Sequence, residues 1–182
     1  MKMNRGSAPS RKQLFSRRGS EMKTNHIGEM KLKVTDYFAS DNKENWLNQI
    51  KESDWGAGKY LYELLKDGKL KQLVGENTKV LMLTDEDKLI SYCTFADMDD
   101  IQPTDLTPWI GFVYTFPQYR GHRYSGELLS FAEALAKAEG IKNIYISTNH
   151  IGLYEKYGFE FMEIMKDIND EDSRVYVKHL DT

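Results

Sequence analysis

The chain is poor in the residues that build disulfide frameworks, metal centres and membrane spans. Its 182 residues include one cysteine, four histidines and four prolines. A single cysteine, Cys93, excludes an internal disulfide, which fits a reducing compartment and gives the expectation of a cytoplasmic protein. Four scattered histidines and one cysteine offer no metal-ligand spacing, so no metal is expected. No apolar run approaches the roughly 18 residues that a membrane-spanning helix needs, and the start carries charges without an apolar segment. Neither a membrane nor a secretory role is therefore expected, and no internal repeat argues for a solenoid.

Hydrophobic residues make up 40% of the chain and aromatics 12%, enough for one packed core and little more. Charge is unevenly distributed. Residues 1–23 hold seven Lys/Arg against the single acid Glu21, a balance of +6, whereas the remainder holds 18 basic against 27 acidic residues, a balance of −9. An acidic body opposes nucleic-acid binding and suits a cationic substrate such as an amine. Residues 1–28 are polar and basic without a sustained period and read as a flexible tail. Residues 29–182 read as one domain.

The domain opens with strand-like alternation at 30–34. Ser40, Asp41 and Asn42 give an N-cap signal before Trp46, Leu47 and Ile50 at helical spacing, and a second helix covers 60–66 and stops near Gly68. Residues 80–83 and 89–95 form an antiparallel pair around a turn at 85–88. Cys93, inside the second of these strands, reads as a small core hydrophobe rather than a nucleophile. Residues 109–115 are apolar on both faces, as a central strand should be. A basic, glycine-containing loop follows, then a long helix over about 125–138 with Gly140 just past its end. A strand at 141–147, a short helix through 153–156 and strands at 158–164 and 174–177 complete the chain. The expected fold is mixed α/β, a mostly antiparallel sheet with helices on both faces.

The segment Pro117-Gln118-Tyr119-Arg120-Gly121-His122-Arg123-Tyr124-Ser125-Gly126 lies between the central strand and the long helix. The first amides of a helix have no intrahelical partner and sit at its positive dipole end, which suits a phosphate. Arg120 and Arg123 add charge-assisted donors, and Gly121 and Gly126 permit close backbone approach. A plain helix cap with solvated arginines is the alternative on loop chemistry alone.

Pro117-Gln118-Tyr119-Arg120-Gly121 with Leu128-Leu129 after it resembles the acyl-CoA pyrophosphate loop of the GCN5-related N-acetyltransferases. Gly152-Leu153-Tyr154-Glu155-Lys156-Tyr157-Gly158-Phe159 resembles the segment preceding that family's sixth strand. The two matches stand in the family's order and separation, and the element order over 30–180 fits as well. There are departures. Arg123 and Ser125 stand where the family loop has glycine, then glycine or alanine. Either Gly126 takes the close approach instead, or Arg123 turns away or adds a cation to the phosphates. Ser147 stands where the family has asparagine, with Asn149 as the substitute from a shorter loop.

The resemblance implies acetyl-CoA as co-substrate and direct attack by a primary amine in a ternary complex. Val113, Tyr114 and Thr115 would hold the pantetheine in a gap beside residues 145–147, and the loop from Arg120 through Gly121, His122, Arg123, Tyr124 and Ser125 to Gly126 would hold the pyrophosphate. Tyr154 stands at the position of the general acid. A phenol near pKa 10 can protonate a leaving thiolate. The central strand has no carboxylate, so the base is sought nearby: Asp97 or Asp99 acting through water, with Asp100, Asp105, His122 and His150 as further options. Trp46, Trp55, Tyr60 and Tyr62 are candidates for the acceptor wall or for core packing. A catalytically silent acyl-CoA sensor on the same fold and an interaction module using the basic tail are the competing readings. The expected partner is a small-molecule or peptide amine, and a homodimer is compatible with the sequence.

Overall fold

A computed structural model describes residues 30–181. The expected basic tail, residues 1–28, lies outside the described residues. The chain runs β1 (Leu32–Asp36), α1 (Lys43–Lys51), α2 (Gly56–Lys66), α3 (Leu70–Val74), β2 (Lys79–Asp85), β3 (Lys88–Ala96), β4 (Trp109–Thr115), α4 (Tyr124–Ala138), β5 (Asn143–Thr148), β6 (Glu160–Lys166) and β7 (Asp172–His179). Short 3-10 turns precede α1, α4 and β6. One seven-stranded sheet has the order β1-β2-β3-β4-β5-β7-β6, and every pairing is antiparallel except that of β4 with β5. The mixed, mostly antiparallel sheet with helices on both faces is as the sequence implies.

The period-2 alternation of the strands sorts the core into two layers. Leu81 and Leu83 of β2 and Cys93 and Phe95 of β3 pack with Leu128, Leu129, Ala132 and Ala136 of α4. Val80 and Met82 of β2 and Leu89 and Tyr92 of β3 pack on the opposite face with Ile50, Leu61 and Leu65 of α1 and α2. Cys93 is fully buried, and burial pushes its thiol up to about 12, so it is a core side chain with no nucleophilic character.

Three local differences separate the structure from the sequence expectations. Helix α3 is too short to show a period. The segment before β6 is a 3-10 turn, Tyr154–Tyr157, rather than an α-helix. Helix α2 begins at Gly56, four residues before the expected start at Tyr60, because Gly-Ala-Gly hides its first turn from propensity arguments. Gly58 has a packing reason. The Tyr92 hydroxyl lies 2.8 Å from Ser53 Oγ directly beneath it, and a Cβ at position 58 would fall on that hydroxyl and 2.7 Å from Ser53 Cβ. Gly58→Ala should therefore lower the denaturant midpoint, by about 1–3 kcal/mol of overpacking, although the same exchange in an open helix stabilises by about 1 kcal/mol. A raised midpoint in equilibrium unfolding would contradict this packing.

Candidate active site

The site begins where β4 and β5 part. Their only registered pair is Trp109 with Tyr145, backed by a hydrogen bond from Tyr145 N–H to the Pro108 carbonyl at 3.1 Å. That closed end is clamped by side chains. Trp109 is fully buried, its indole N–H donates to the Leu106 carbonyl at 2.6 Å, and its ring lies 5.5 Å from that of Tyr145, with Ile101, Val175 and Val177 around them. Beyond it, β4 carries an irregularity opposite Cys93: Tyr92 pairs with Tyr114 and Thr94 with Gly111, so Phe112 and Val113 share one partner. This is a β-bulge, and Phe112 adopts φ 50° within it. A bulky side chain in that region costs on the order of 1–3 kcal/mol, which fits a strand bent for a functional reason. The bend turns β4 away from β5 and leaves its backbone facing a gap.

Two lobes of cleft occupy the gap. One, about 730 Å³, is bounded by Arg120, Gly121, Arg123, Tyr124 and Lys156 around the start of α4. The other, about 840 Å³, reaches Asp99, Asp100, Tyr154, Asn149, Ser147 and the aromatic pair Trp55 and Tyr60. Trp55, Val113, Thr115, Ser125, His150 and Leu153 line both, so the lobes are continuous.

In the first lobe, Arg120 is held from three sides. Its Nε donates to the Thr115 carbonyl at 3.0 Å, its Nη2 pairs with Asp54 Oδ1 at 3.0 Å, and its guanidinium lies 5.5 Å from the Tyr114 ring centroid. Asp54 also accepts from the Tyr114 hydroxyl at 2.6 Å, and this hydrogen bond first, then Arg120, holds its carboxyl below the usual range. Trp55 stacks on Tyr114 at 5.9 Å with the rings nearly parallel. Asp54 is a site residue that sequence reasoning missed. It sits in the α1–α2 connection, 66 residues from Arg120, with no local pattern linking the two.

Arg123 is the residue immediately before α4, in the left-handed conformation at φ 61°. It keeps the backbone geometry a glycine would supply, at a cost of roughly 1–2 kcal/mol for an L-residue, and adds a cation to the lobe. Of the two readings left open by the sequence, the structure favours this one. Gly126 does not approach the lobe: a Cβ there would lie 2.6 Å from Tyr157 Cε1, so that glycine makes room for the Tyr157 ring. His122 also falls outside both lobes, exposed and stacked on Tyr124 at 5.4 Å. The remaining loop residues, Gly121, Tyr124 and Ser125, line the cleft with Val113, Tyr114 and Thr115 of β4.

In the second lobe, Tyr154 is 6% exposed and packs edge-on against Phe159 at 6.1 Å. Burial holds its phenol well above the ordinary value, so it is protonated at any working pH. Asp99 follows β3, and its Oδ2 lies against Gly111, where a Cβ would come within 2.6 Å of it. Burial first, and the neighbouring Asp100 charge second, raise the Asp99 carboxyl to about 7. Asp97 is not brought to the cleft. Its carboxylate accepts from Asn77 N–H at 3.2 Å and from the Asn77 side chain, fixing the turn into β2. Of the four aromatic candidates, Trp55 and Tyr60 reach the lobe, whereas Trp46 is buried in the core with its indole N–H on Ser40 Oγ at 2.9 Å, and Tyr62 packs among Lys51 and Lys66.

A family model described as the acetyltransferase (GNAT) family matches residues 40–159, well over half of the chain, and the chain belongs to that family. Solved structures with the same fold include an aminoglycoside 6′-acetyltransferase type Ii at 15% identity, covering 84% of this chain and 99% of that one with a TM-score of 0.62. The N-acetyltransferase YhbS of Escherichia coli, solved in complex with CoA, aligns at 20% identity over 84% of this chain and 83% of that one, TM-score 0.60. An aminoglycoside 6′-N-acetyltransferase complexed with coenzyme A aligns at 11% identity over 82% and 98%, TM-score 0.58. These identities establish the fold alone. A comparison with curated protein sequences finds no match. No helix among the described residues is long and apolar enough to cross a membrane.

The raised Asp99 carboxyl has a signature in stability. Below about pH 4 the group is protonated in both folded and unfolded chains, while between about 4 and 7 the unfolded chain releases its proton first. The wild type therefore loses stability across that window relative to a neutral isostere. Asp99→Asn should melt with the wild type near pH 4 and above it at pH 8. Parallel melting curves at all pH values would show that this carboxyl is not buried as described.

Proposed function

We propose that the chain moves an acetyl group from acetyl-CoA to a primary amine by direct attack in a ternary complex, with Tyr154 as general acid and Asp99 as base. The observation that carries this reading is the open end of the β4–β5 pair, with Asp99 against Gly111 on the β4 side and Tyr154 following β5 on the other. The cleft fits the co-substrate on its own chemistry. Arg120, Arg123 and Lys156 surround one lobe at the N-terminus of a 15-residue helix, where free amides and the helix dipole favour phosphates. The CoA complexes of two fold neighbours support the same assignment.

Acetyl-CoA supplies an activated thioester. The residues of this chain do the rest. Val113, Tyr114 and Thr115, freed from β5, offer backbone groups to an extended thiol arm, and a bulge amide aimed at the carbonyl oxygen would stabilise its developing charge. Asp99 takes the proton released as the amine nitrogen bonds to the carbonyl carbon. Tyr154 gives its proton to sulfur as the carbon–sulfur bond breaks. Both are reset by exchange with solvent, so the reaction is balanced in protons. Burial makes Tyr154 a weaker acid, but the same walls desolvate the leaving thiolate and raise its proton affinity too.

Tyr154→Phe should lower kcat and kcat/KM together by about 10²-fold or more, with CoA affinity by calorimetry nearly unchanged, because the ring and its contact with Phe159 persist and only the proton is lost. Normal turnover in this variant would remove Tyr154 from the mechanism.

A further inference from the structure

The two lobes of the cleft carry opposite charge. Arg120, Arg123 and Lys156 face the first, with Asp54 tied to Arg120. In the second the charged lining is Asp99 and Asp100, with no lysine or arginine. Neither carboxyl group pairs with a lysine or arginine among the described residues. Asp99 accepts one hydrogen bond among the described residues, from Asp100 N–H at 2.9 Å. Asp100 Oδ1 is buried without any partner. The nearby Asp167 differs, because its Oδ1 is occupied by the amides of Asn169 and Glu171 at 2.8 and 3.0 Å.

Unpaired, partly buried carboxylates are costly, and a ligand cation is the natural compensation. One acid suffices for a monoamine, since Asp99 takes up the proton of the nitrogen that is acylated. The Ser147 hydroxyl bears on the Asp100 carboxyl, but Oδ1 has no partner, so one oxygen of Asp100 still lacks a donor. The aromatic faces of Trp55, Tyr60 and Phe112 wall the same lobe, and such faces suit both an alkyl chain and an ammonium group.

Resting on the acetyl-transfer reading above, we infer that the acceptor is a diamine: one nitrogen reacts beside Asp99, and a second ammonium group pairs with Asp100. A charge-assisted contact of this kind is worth roughly tenfold or more in affinity.

The test compares putrescine with n-butylamine, equal in carbon chain and different in the second ammonium. With the full chain and saturating acetyl-CoA, kcat/KM for putrescine should exceed that for n-butylamine by about tenfold or more, and Asp100→Asn should collapse the ratio towards one by raising KM for putrescine. Equal use of the two amines by the wild type overturns the inference, as does an Asp100→Asn variant that folds and keeps the preference. Calorimetric titration of putrescine into the CoA-bound protein separates the two readings. Putrescine heat that is lost in Asp100→Asn supports the diamine site even if neither amine is acetylated, an outcome that would contradict acetyl transfer instead. Absence of putrescine heat with the wild type overturns the diamine site.

Discussion

The parting of two parallel strands after one registered pair is the constraint on which the site depends. Parallel neighbours normally bond along their length, and leaving β4 half-unpaired exposes amides and carbonyls that must find other partners. The chain meets this with a strong clamp at one end and a distortion at the other. Trp109, Tyr145 and the apolar cluster around them hold the strands together at the base. The bulge with Phe112 at φ 50° bends β4 away above it. The strained residue is tolerated because β4 is locked to β3 on both sides of the bulge, through Gly111–Thr94 and Tyr114–Tyr92.

That opening then organises charge. Helix α4 starts at one mouth of the gap, so its amide end, Arg120, Arg123 and Lys156 make a cationic lobe. The loop after β3 returns across β4 at Gly111 and brings two carboxylates to the other lobe. The α1–α2 connection joins the two halves: Asp54 holds Arg120, while its neighbour Trp55 stacks on Tyr114 and lines both lobes. One short segment thus touches both lobes at once.

The fold was legible in the sequence because long elements carry strong periods. The apolar stripe of α4 and the two-sided apolar run of β4 each fix an element and its neighbours. Tyr154 was legible through a local motif, and the structure brings it to the cleft. Other parts were hidden for physical reasons. Strand alternation would put Asp97 and Asp99 on one face, but β3 ends at Ala96, and an Asn77 contact 20 residues away draws Asp97 off the gap. Gly126 resembled a phosphate-binding glycine, but its missing Cβ makes room for Tyr157. Asp54 was invisible because ion pairs between distant loops leave no spacing in the chain.

The central claim is that the unpaired half of β4 and the first turn of α4 receive one extended acyl-CoA ligand. Amide hydrogen exchange with and without CoA tests it most directly, since exchange reports the backbone groups that the gap leaves open. The account predicts slowed exchange at residues 112–115 and at residues 121–125 when CoA is added, and little change at the Trp109 end of the strand. Protection that spares both segments, or that spreads evenly over the sheet, would contradict it.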